Sequence, residues 1–380
     1  MKGRLTRISL LDSGARRQKE FSTAVSLHSH TRHSKEGLGF VPQYAPRIPV
    51  VSFFYKREEE RYSRIKGKAL DFQRGYWTPP VTGKRVFESE TNSIECQLGL
   101  QPLVSLTDHD NISTAKLLHT YNPSHDIPIS MEWTVPNGGG IFHLGVHNMP
   151  SRSSAHIVKE LALYTVQPSD TRFVELLTWL NNYPEILVVL NHPLSHSNSL
   201  GLERLKALVT GFLDRYGKSI HALEINGYRS WSENRATVSL AEQFGLPLVS
   251  GGDRHGCAPN AVLNLTNAAT FSEFVSEIRS HKVSEVILMP EYSEQLLVRK
   301  MESVGDFLRY YPEYPHGQRQ WTDRVFFQSE GGVVRPLSYY WHHTIPMWVK
   351  SFTLLVRMLG STYLHQVLRK AFVNKEKVSL

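Results

Sequence analysis

The sequence predicts an α/β protein with a mainly parallel sheet whose strands end around one shared site. Two observations carry that prediction. From about residue 102, short β-rich runs alternate with helical stretches, which is the pattern of βα units. Several of those runs end in clusters of histidine and carboxylate, and a barrel is the arrangement that gathers strand C-termini on one site.

Taken in order, residues 1–22 are polar and basic and predict a loosely attached arm. A short strand then starts at Ala24 and delivers His28 and His30. Residues 34–101 hold Pro42, Pro46 and Pro49, a charged run over 57–61, and Gly75-Tyr76-Trp77-Thr78-Pro79-Pro80. Within them 57–68 reads as a charged helix and the remainder as ordered loop. A stretch this long without clear periodicity more often caps or serves a site than merely connects. Strand-like runs follow at 102–106, 127–131, 141–146, 186–190, 220–225 and 246–250. Helical stretches occupy 153–164, 169–182, 201–216 and 235–244, with a further helix at 273–280 and a last strand at 286–289. The expected organisation is an arm over 1–23, a barrel over 24–290 with its insertion at 34–101, and a C-terminal extension over 291–380.

That extension is rich in aromatic residues, among them Tyr310, Tyr311, Tyr314, Trp321, Phe326 and Phe327. It closes with Trp348, Phe352, Leu355, Leu359, Tyr363 and Val367 at three- and four-residue steps, while Lys350 and Arg357 lie off the stripe. This predicts a basic amphipathic helix. The expectation favours packing on the barrel or a second subunit, with weak contact to an anionic membrane surface or a partner through 345–373 as the alternative. Oligomeric state is left open.

Composition sets the compartment and the partners. The formal net charge of +8 favours anionic partners, though a basic surface with no particular partner fits as well. Cys96 and Cys257 are too few for a disulfide scaffold, so a reducing cytoplasm is expected. The basic N-terminus lacks a signal-peptide core. The longest apolar stretch, about 345–364, carries Lys350 and Arg357 and does not read as a membrane span.

Eighteen histidines is a high count for 380 residues. Their clusters are His28-Ser29-His30, Asp108-His109-Asp110, Glu132, His143, His192-Pro193 and Asp253-Arg254-His255. Imidazole and carboxylate are the ligands of zinc, manganese and iron. His28 and His30 are two apart on a strand and face the same way, so they can share an ion. A strand-end Glu132 can bridge two cations. Each cluster has a bland reading: an Asx turn at Asp110, an exposed glutamate at 132, a satisfied core histidine at 143. Six in this order are harder to dismiss.

That order resembles the PHP family, named for its polymerase and histidinol phosphatase members. The family pattern runs His-x-His, Thr-Asp-His, a strand-end Glu, a His before Leu-Gly, His-Pro and Asp-x-His. Here it reads His28-Ser29-His30, Thr107-Asp108-His109, Glu132, His143-Leu144-Gly145, His192-Pro193 and Asp253-Arg254-His255. Leu223-Glu224-Ile225-Asn226 is similar to a supporting strand of the family. The resemblance covers residues 24–290 and implies a distorted (β/α)7 barrel with three metals. It places His28, His30, Glu132 and Asp253 on the first, Glu132, His143 and His192 on the second, and His109 and His255 on the third. The third needs one more ligand, for which Glu36 and His33 are the candidates. The long spacing from His30 to Asp108 implies a substrate unlike those of compact members.

The function so implied is phosphate-ester hydrolysis with two to three divalent ions (Mn, Zn or Fe). The substrate classes are a phosphorylated small molecule, a nucleotide or an oligonucleotide. Asp108 is expected to orient its neighbours, and Arg254 to grip phosphate, with Arg32 a weaker candidate. Arg57, Arg61 and Arg64 are further expected phosphate contacts from an insertion lying at the mouth. The alternatives are an amidohydrolase-type enzyme with the same ligands, and a non-catalytic metal-binding interaction module.

Overall fold

The computed structural model describes residues 5–11, 20–47, 49–121, 126–195, 201–329, 331–341 and 345–359. In chain order its strands are β1 (Thr6–Leu10), β2 (Thr23–Ser26), β3 (Glu36–Gly37), β4 (Gly75–Trp77) and β5 (Gln101–Val104). Then come β6 (Met131–Asn137), β7 (Gly140–His147), β8 (Leu187–Leu190), β9 (Ala222–Asn226) and β10 (Leu248–Gly251). The last four are β11 (Val262–Thr266), β12 (Ser284–Leu288), β13 (Val325–Gln328) and β14 (Val334–Pro336).

They form an α/β protein with three mixed sheets, ordered β1-β12-β11-β2-β5, β10-β9-β8-β7-β6 and β14-β13-β4-β3. None of these closes into a barrel. Two isolated parallel bridges link the first two sheets: Ser29, after β2, to Arg254, after β10, and His109, after β5, to Glu132 of β6. Val25, Leu27, Leu103, Leu187, Val189, Ala222 and Val249 project from β2, β5, β8, β9 and β10 into one buried cluster. Phe271, Phe274 and Ile278 pack into the same cluster. Each such side chain withdrawn from water is worth about 1.5–3 kcal/mol. The histidine clusters follow the opposite, C-terminal ends of β2 and β10.

Several sequence expectations change. The arm over 1–22 is in part a strand: β1 pairs parallel with β12, Thr6 opposite Ser284 through Leu10 opposite Leu288. Its partner lies far along the chain, so local composition carries no sign of the pairing. Residues 1–4 and 12–19 lie outside the described residues. The run expected at 127–131 becomes a strand only at Met131. Glu132 therefore sits near the start of β6 rather than at a strand end. The chain turns at Gly138-Gly139 into the antiparallel partner β7. Both glycines have positive φ, 58° and 80°, as a two-residue hairpin turn of this hand requires.

The segment 34–101 is also more ordered than a loop with one charged helix. A helix spans Pro49–Lys66. Another, Gly83–Leu98, buries Val86, Glu90, Ile94 and Leu98. These stand four apart, so one face turns inward, and a glutamate in the stripe disguised it. Residues of this insertion then pair with the extension: β13 runs antiparallel to β4, and β4 to β3. Insertion and extension thus share one small sheet. Arg324 ties its root down by donating to the carbonyls of Gln318, Arg319 and Arg309.

The closing helix is described over Met347–Leu359, and Tyr363 and Val367 of the expected stripe lie outside the described residues. Its inward face is Trp348, Val349, Thr353 and Val356, with the Trp348 ring stacked 4.8 Å from Phe54. Phe352 and Leu355, placed by sequence on the packing stripe, are exposed. Among the described residues no helix is long and apolar enough to cross a membrane.

Candidate metal centre

The backbone delivers the histidines in unusual conformations. His28, His192 and Asp253 have φ of 64°, 27° and 49°, the left-handed region that non-glycine residues avoid. Such residues cost about 1–3 kcal/mol each and persist where surrounding structure enforces them. Here Asp253 donates its N–H to the His28 carbonyl at 2.7 Å, and His30 donates to the Arg254 carbonyl at 3.0 Å. The chain after β2 is thereby clamped to the chain after β10.

Glu132 is the hub. Its Oε2 lies 3.1 Å from His28 Nε2, 3.2 Å from His30 Nε2 and 3.2 Å from His109 Nε2. Its Oε1 lies 3.1 Å from His192 Nε2 and 3.4 Å from His143 Nδ1. Asp253 approaches from the far side, its Oδ1 3.6 Å from His30 Nε2 and 3.8 Å from His28 Nε2. A second carboxylate shares His109 with the first and adds His255: Glu36 Oε2 is 3.3 Å from His109 Nε2 and 3.2 Å from His255 Nε2. Ligand atoms fall within 4.8 Å of one another in four groups: His28, His30 and Glu132; His28, His192 and Asp253; His30, Glu36 and His255; His109, Glu132 and His143.

These residues fit divalent ions. Donors bound at about 2.1 Å to one ion stand roughly 3.0–3.4 Å apart, the spacing seen around both glutamates. Glu132 Oε2 and His143 Nδ1 are moreover buried with no hydrogen-bond partner. An orphaned buried carboxylate oxygen is costly, and a cation among it and the imidazoles removes the cost.

Surrounding groups set the ring orientations. His28 Nδ1 meets Glu224 Oε2 at 2.9 Å, so Glu224 on β9 steers the imidazole. Gly251 makes room for it, since a Cβ there would fall 1.9 Å from Glu224 Oε1. Ser34 donates to Glu36 Oε1 at 2.6 Å and sits 3.2 Å from His30 Nδ1. Asn191 donates to Glu132 Oε1 at 3.0 Å. Asp108 accepts from the Thr31 amide and hydroxyl at 2.6 and 2.8 Å, holding the chain just after His30. On the Glu36 side the Trp77 ring of β4 lies 5.6 Å from the His255 ring and 4.9 Å from Phe307. Trp77 also faces Glu36 across the β3–β4 ladder.

The site is electrostatically tense. Burial opposes charge throughout the site; it pushes His143 down, whereas the carboxylate partners of His28, His30 and His109 override it. His30 rises to about 9 under Glu36, Asp253 and Glu132 despite its desolvation. His109, likewise desolvated, rises to about 10 beside Glu36 and Glu132. His28, also pulled down by burial, is raised well above its ordinary value by Glu132 and Glu224. Against their own desolvation, Glu36, Glu132 and Asp253 are held well below the usual carboxylate range by these histidines and, for Asp253, by Arg229. Burial instead pushes the nearby His147 down to about 3; with its Nδ1 2.9 Å from the Ser105 hydroxyl, it is a neutral core histidine.

A pH signature follows. The folded imidazoles of His28, His30 and His109 keep protons that an unfolded chain releases above about pH 6.5, so their stabilisation is full below that pH and fades as pH climbs to 9–10. The carboxylates act oppositely: their stabilisation is present above about pH 4 and lost on acidification. The metal-free protein should therefore melt several degrees lower at pH 9 than at pH 6.5. Added Mn or Zn competes with the same protons, so its stabilising effect should grow over that interval. Melting curves at five pH values, with and without metal, check this. A flat profile for both would contradict the proton–metal competition.

Some expected site residues are elsewhere. Arg254 is fully buried beneath the site, its guanidinium paired with Glu90 and donating to the carbonyls of Gly256 and Cys257. Glu90 and the two carbonyls hold it on the buried side, while Asp253 and His255 take the site side. Arg32 is exposed and donates to Gln318. His33 uses its carbonyl to accept from Asn111 and joins none of the donor groups, so Glu36 occupies the place left between the two. Arg57, Arg61 and Arg64 lie exposed on the Pro49–Lys66 helix, where Arg61 pairs with Glu58. The cation the sequence reading missed is Arg229, 3.0 Å from Asp253 Oδ2. Its only sequence cue is a position three residues after Asn226 at the end of β9.

No family model matches this sequence, and no curated protein does. Solved structures give distant likenesses. An amidohydrolase from Chromobacterium violaceum, with bound sulfate and no metal, aligns with TM-score 0.34 and 15% identity over 47% of this chain and 84% of its own. PsfC from Pseudomonas syringae gives 0.39 and 14% over 56% and 86%. A protein described as a metal-dependent phosphoesterase from Bifidobacterium adolescentis gives 0.31 and 15% over 53% and 91%.

Proposed function

We propose that this protein is a metal-dependent phosphoesterase, built on an open ring of seven strands, β2 and β5 to β10, in the manner of a distorted (β/α)7 barrel. The two bridges between the sheets and the buried cluster shared by β2, β5, β8, β9 and β10 support that architecture. One observation carries the functional reading. Nine ligand residues interlock through two buried glutamates, and Glu132 alone turns each oxygen to a different set of histidines. A structural zinc needs four ligands, so a non-catalytic module has no use for such a set.

His28, His30, Glu132 and Asp253 would hold one ion, Glu132, His143 and His192 a second, and Glu36, His109 and His255 a third. When bound, the ions supply Lewis acidity and bring the pKa of water towards neutrality. The protein's share is positional. Glu224 and Ser34 fix the imidazoles, and Asp108 fixes the loop that carries His30. Trp77 and the shared sheet of insertion and extension wall the Glu36 side. The substrate class is a phosphorylated small molecule, a nucleotide or an oligonucleotide.

Metal analysis and a substrate panel test this together, with Mn, Zn and Fe loaded separately. Two to three equivalents of metal and release of phosphate, or cleavage of a diester, are expected. Turnover of amides or lactones without phosphate-ester cleavage would make it an amidohydrolase-type enzyme. One equivalent or none, with no turnover, would make it a binding module.

A further inference from the structure

We infer that Arg229, backed by Lys300, forms an anion-binding subsite on the Asp253 edge of the metal centre and receives a phosphoryl oxygen of the substrate. The inference rests on the phosphoesterase reading and adds the residue that selects an anionic group.

Three observations support it. Arg229 spends one amino group on Asp253 Oδ2 at 3.0 Å and another on the Tyr228 carbonyl at 3.1 Å. Its Nε is buried with no hydrogen-bond partner, while 18% of the side chain stays open to solvent. A guanidinium carries five N–H groups in a fork suited to a tetrahedral oxyanion, so this one has donors to spare beside the site.

Asp253 explains the direction of the preference. Its other oxygen, Oδ1, faces His28 and His30. A cation on that side draws on the same negative charge that now balances Arg229. The loaded site thus leaves the guanidinium underneutralised, which favours an incoming anion. Lys300, on the Leu296–Leu308 helix, adds positive potential. Desolvation lowers its ammonium, and the field of Arg229 lowers it further.

Inorganic phosphate is the probe, titrated calorimetrically into full-length protein loaded with Mn, alongside metal content and melting temperature. A charge-assisted hydrogen bond to phosphate is worth about 10–100-fold in affinity, so Arg229→Met should weaken phosphate binding by that factor. Arg229→Lys should fall between, and Lys300→Met should cost about 3-fold. Metal stoichiometry should match wild type in all three. In turnover assays KM for a phosphomonoester should rise more than kcat falls. Unchanged phosphate affinity in Arg229→Met overturns the inference, as does loss of a metal equivalent, which would mean that the arginine only positions Asp253. Failure of wild type to cleave any phosphate ester counts against the function itself and is read separately from the binding titration.

Discussion

Glu132→Gln should remove nearly all activity and most bound metal while leaving the fold in place. The amide keeps the shape and one acceptor oxygen but loses the charge that five histidines surround. Its NH2 group also points a donor at nitrogens that must themselves present lone pairs to an ion. Losing a ligand that the proposed site shares between two ions should lower kcat/KM by at least about 1,000-fold, comparable with removing a main electrostatic contributor to catalysis. Metal content after dialysis should fall by one to two equivalents. Circular dichroism separates this from unfolding: the metal-free variant should keep its helical signal, melt below metal-free wild type at pH 6.5, where the imidazoliums lose a balancing carboxylate, and approach it at pH 9. Near-normal metal content and activity in Glu132→Gln would remove the hub from the site.

The largest expected loss of stability lies just beneath. Glu90 and Arg254 form an ion pair in which both side chains are essentially buried. Glu90 also accepts from Ser26 Oγ and the Asn260 amide, tying the Gly83–Leu98 helix to β2 and to the chain beyond β10. Glu90→Ala strands the Arg254 charge in the interior and should cost about 3–5 kcal/mol. A double change, Glu90→Leu with Arg254→Met, should recover much of that, since apolar replacement of a buried pair is often neutral. Urea denaturation of metal-free protein measures both. The pair also bears on function, because Arg254 separates Asp253 from His255. Glu90→Ala should therefore weaken metal binding, and the double variant should restore it in part. A loss below about 1 kcal/mol in Glu90→Ala would show that the arginine finds other partners or water.

The contrast between Arg254 and Arg229 shows where sequence reasoning stops. Arg254 stands between two ligand residues and invites a role at the site, but its pairing with Glu90 holds it in the interior. Arg229 stands 24 residues before Asp253 in the sequence. It reaches Asp253 only because β9 and β10 are paired, with Glu224 opposite Val249. Adjacency in sequence pointed to a guanidinium that is buried against Glu90, and adjacency in the sheet brings a different one to Asp253.

Read alone, the sequence determined the chemistry and the local elements. Apolar runs at 186–190, 220–225 and 246–250 become β8, β9 and β10 because continuous burial is written into consecutive residues. The residue types of the site were legible too, since imidazole and carboxylate announce themselves wherever they stand. Tertiary structure alone decided what depends on partners far along the chain. It seated Glu36, rather than His33, opposite His109 and His255, and it folded the insertion against the extension through β4 and β13. It made β1 a strand by pairing it with β12, and it buried Glu90, a residue whose charge hid the inward face of its helix. In each case the deciding energy is a contact between distant segments, and single-chain periodicity holds no record of that contact.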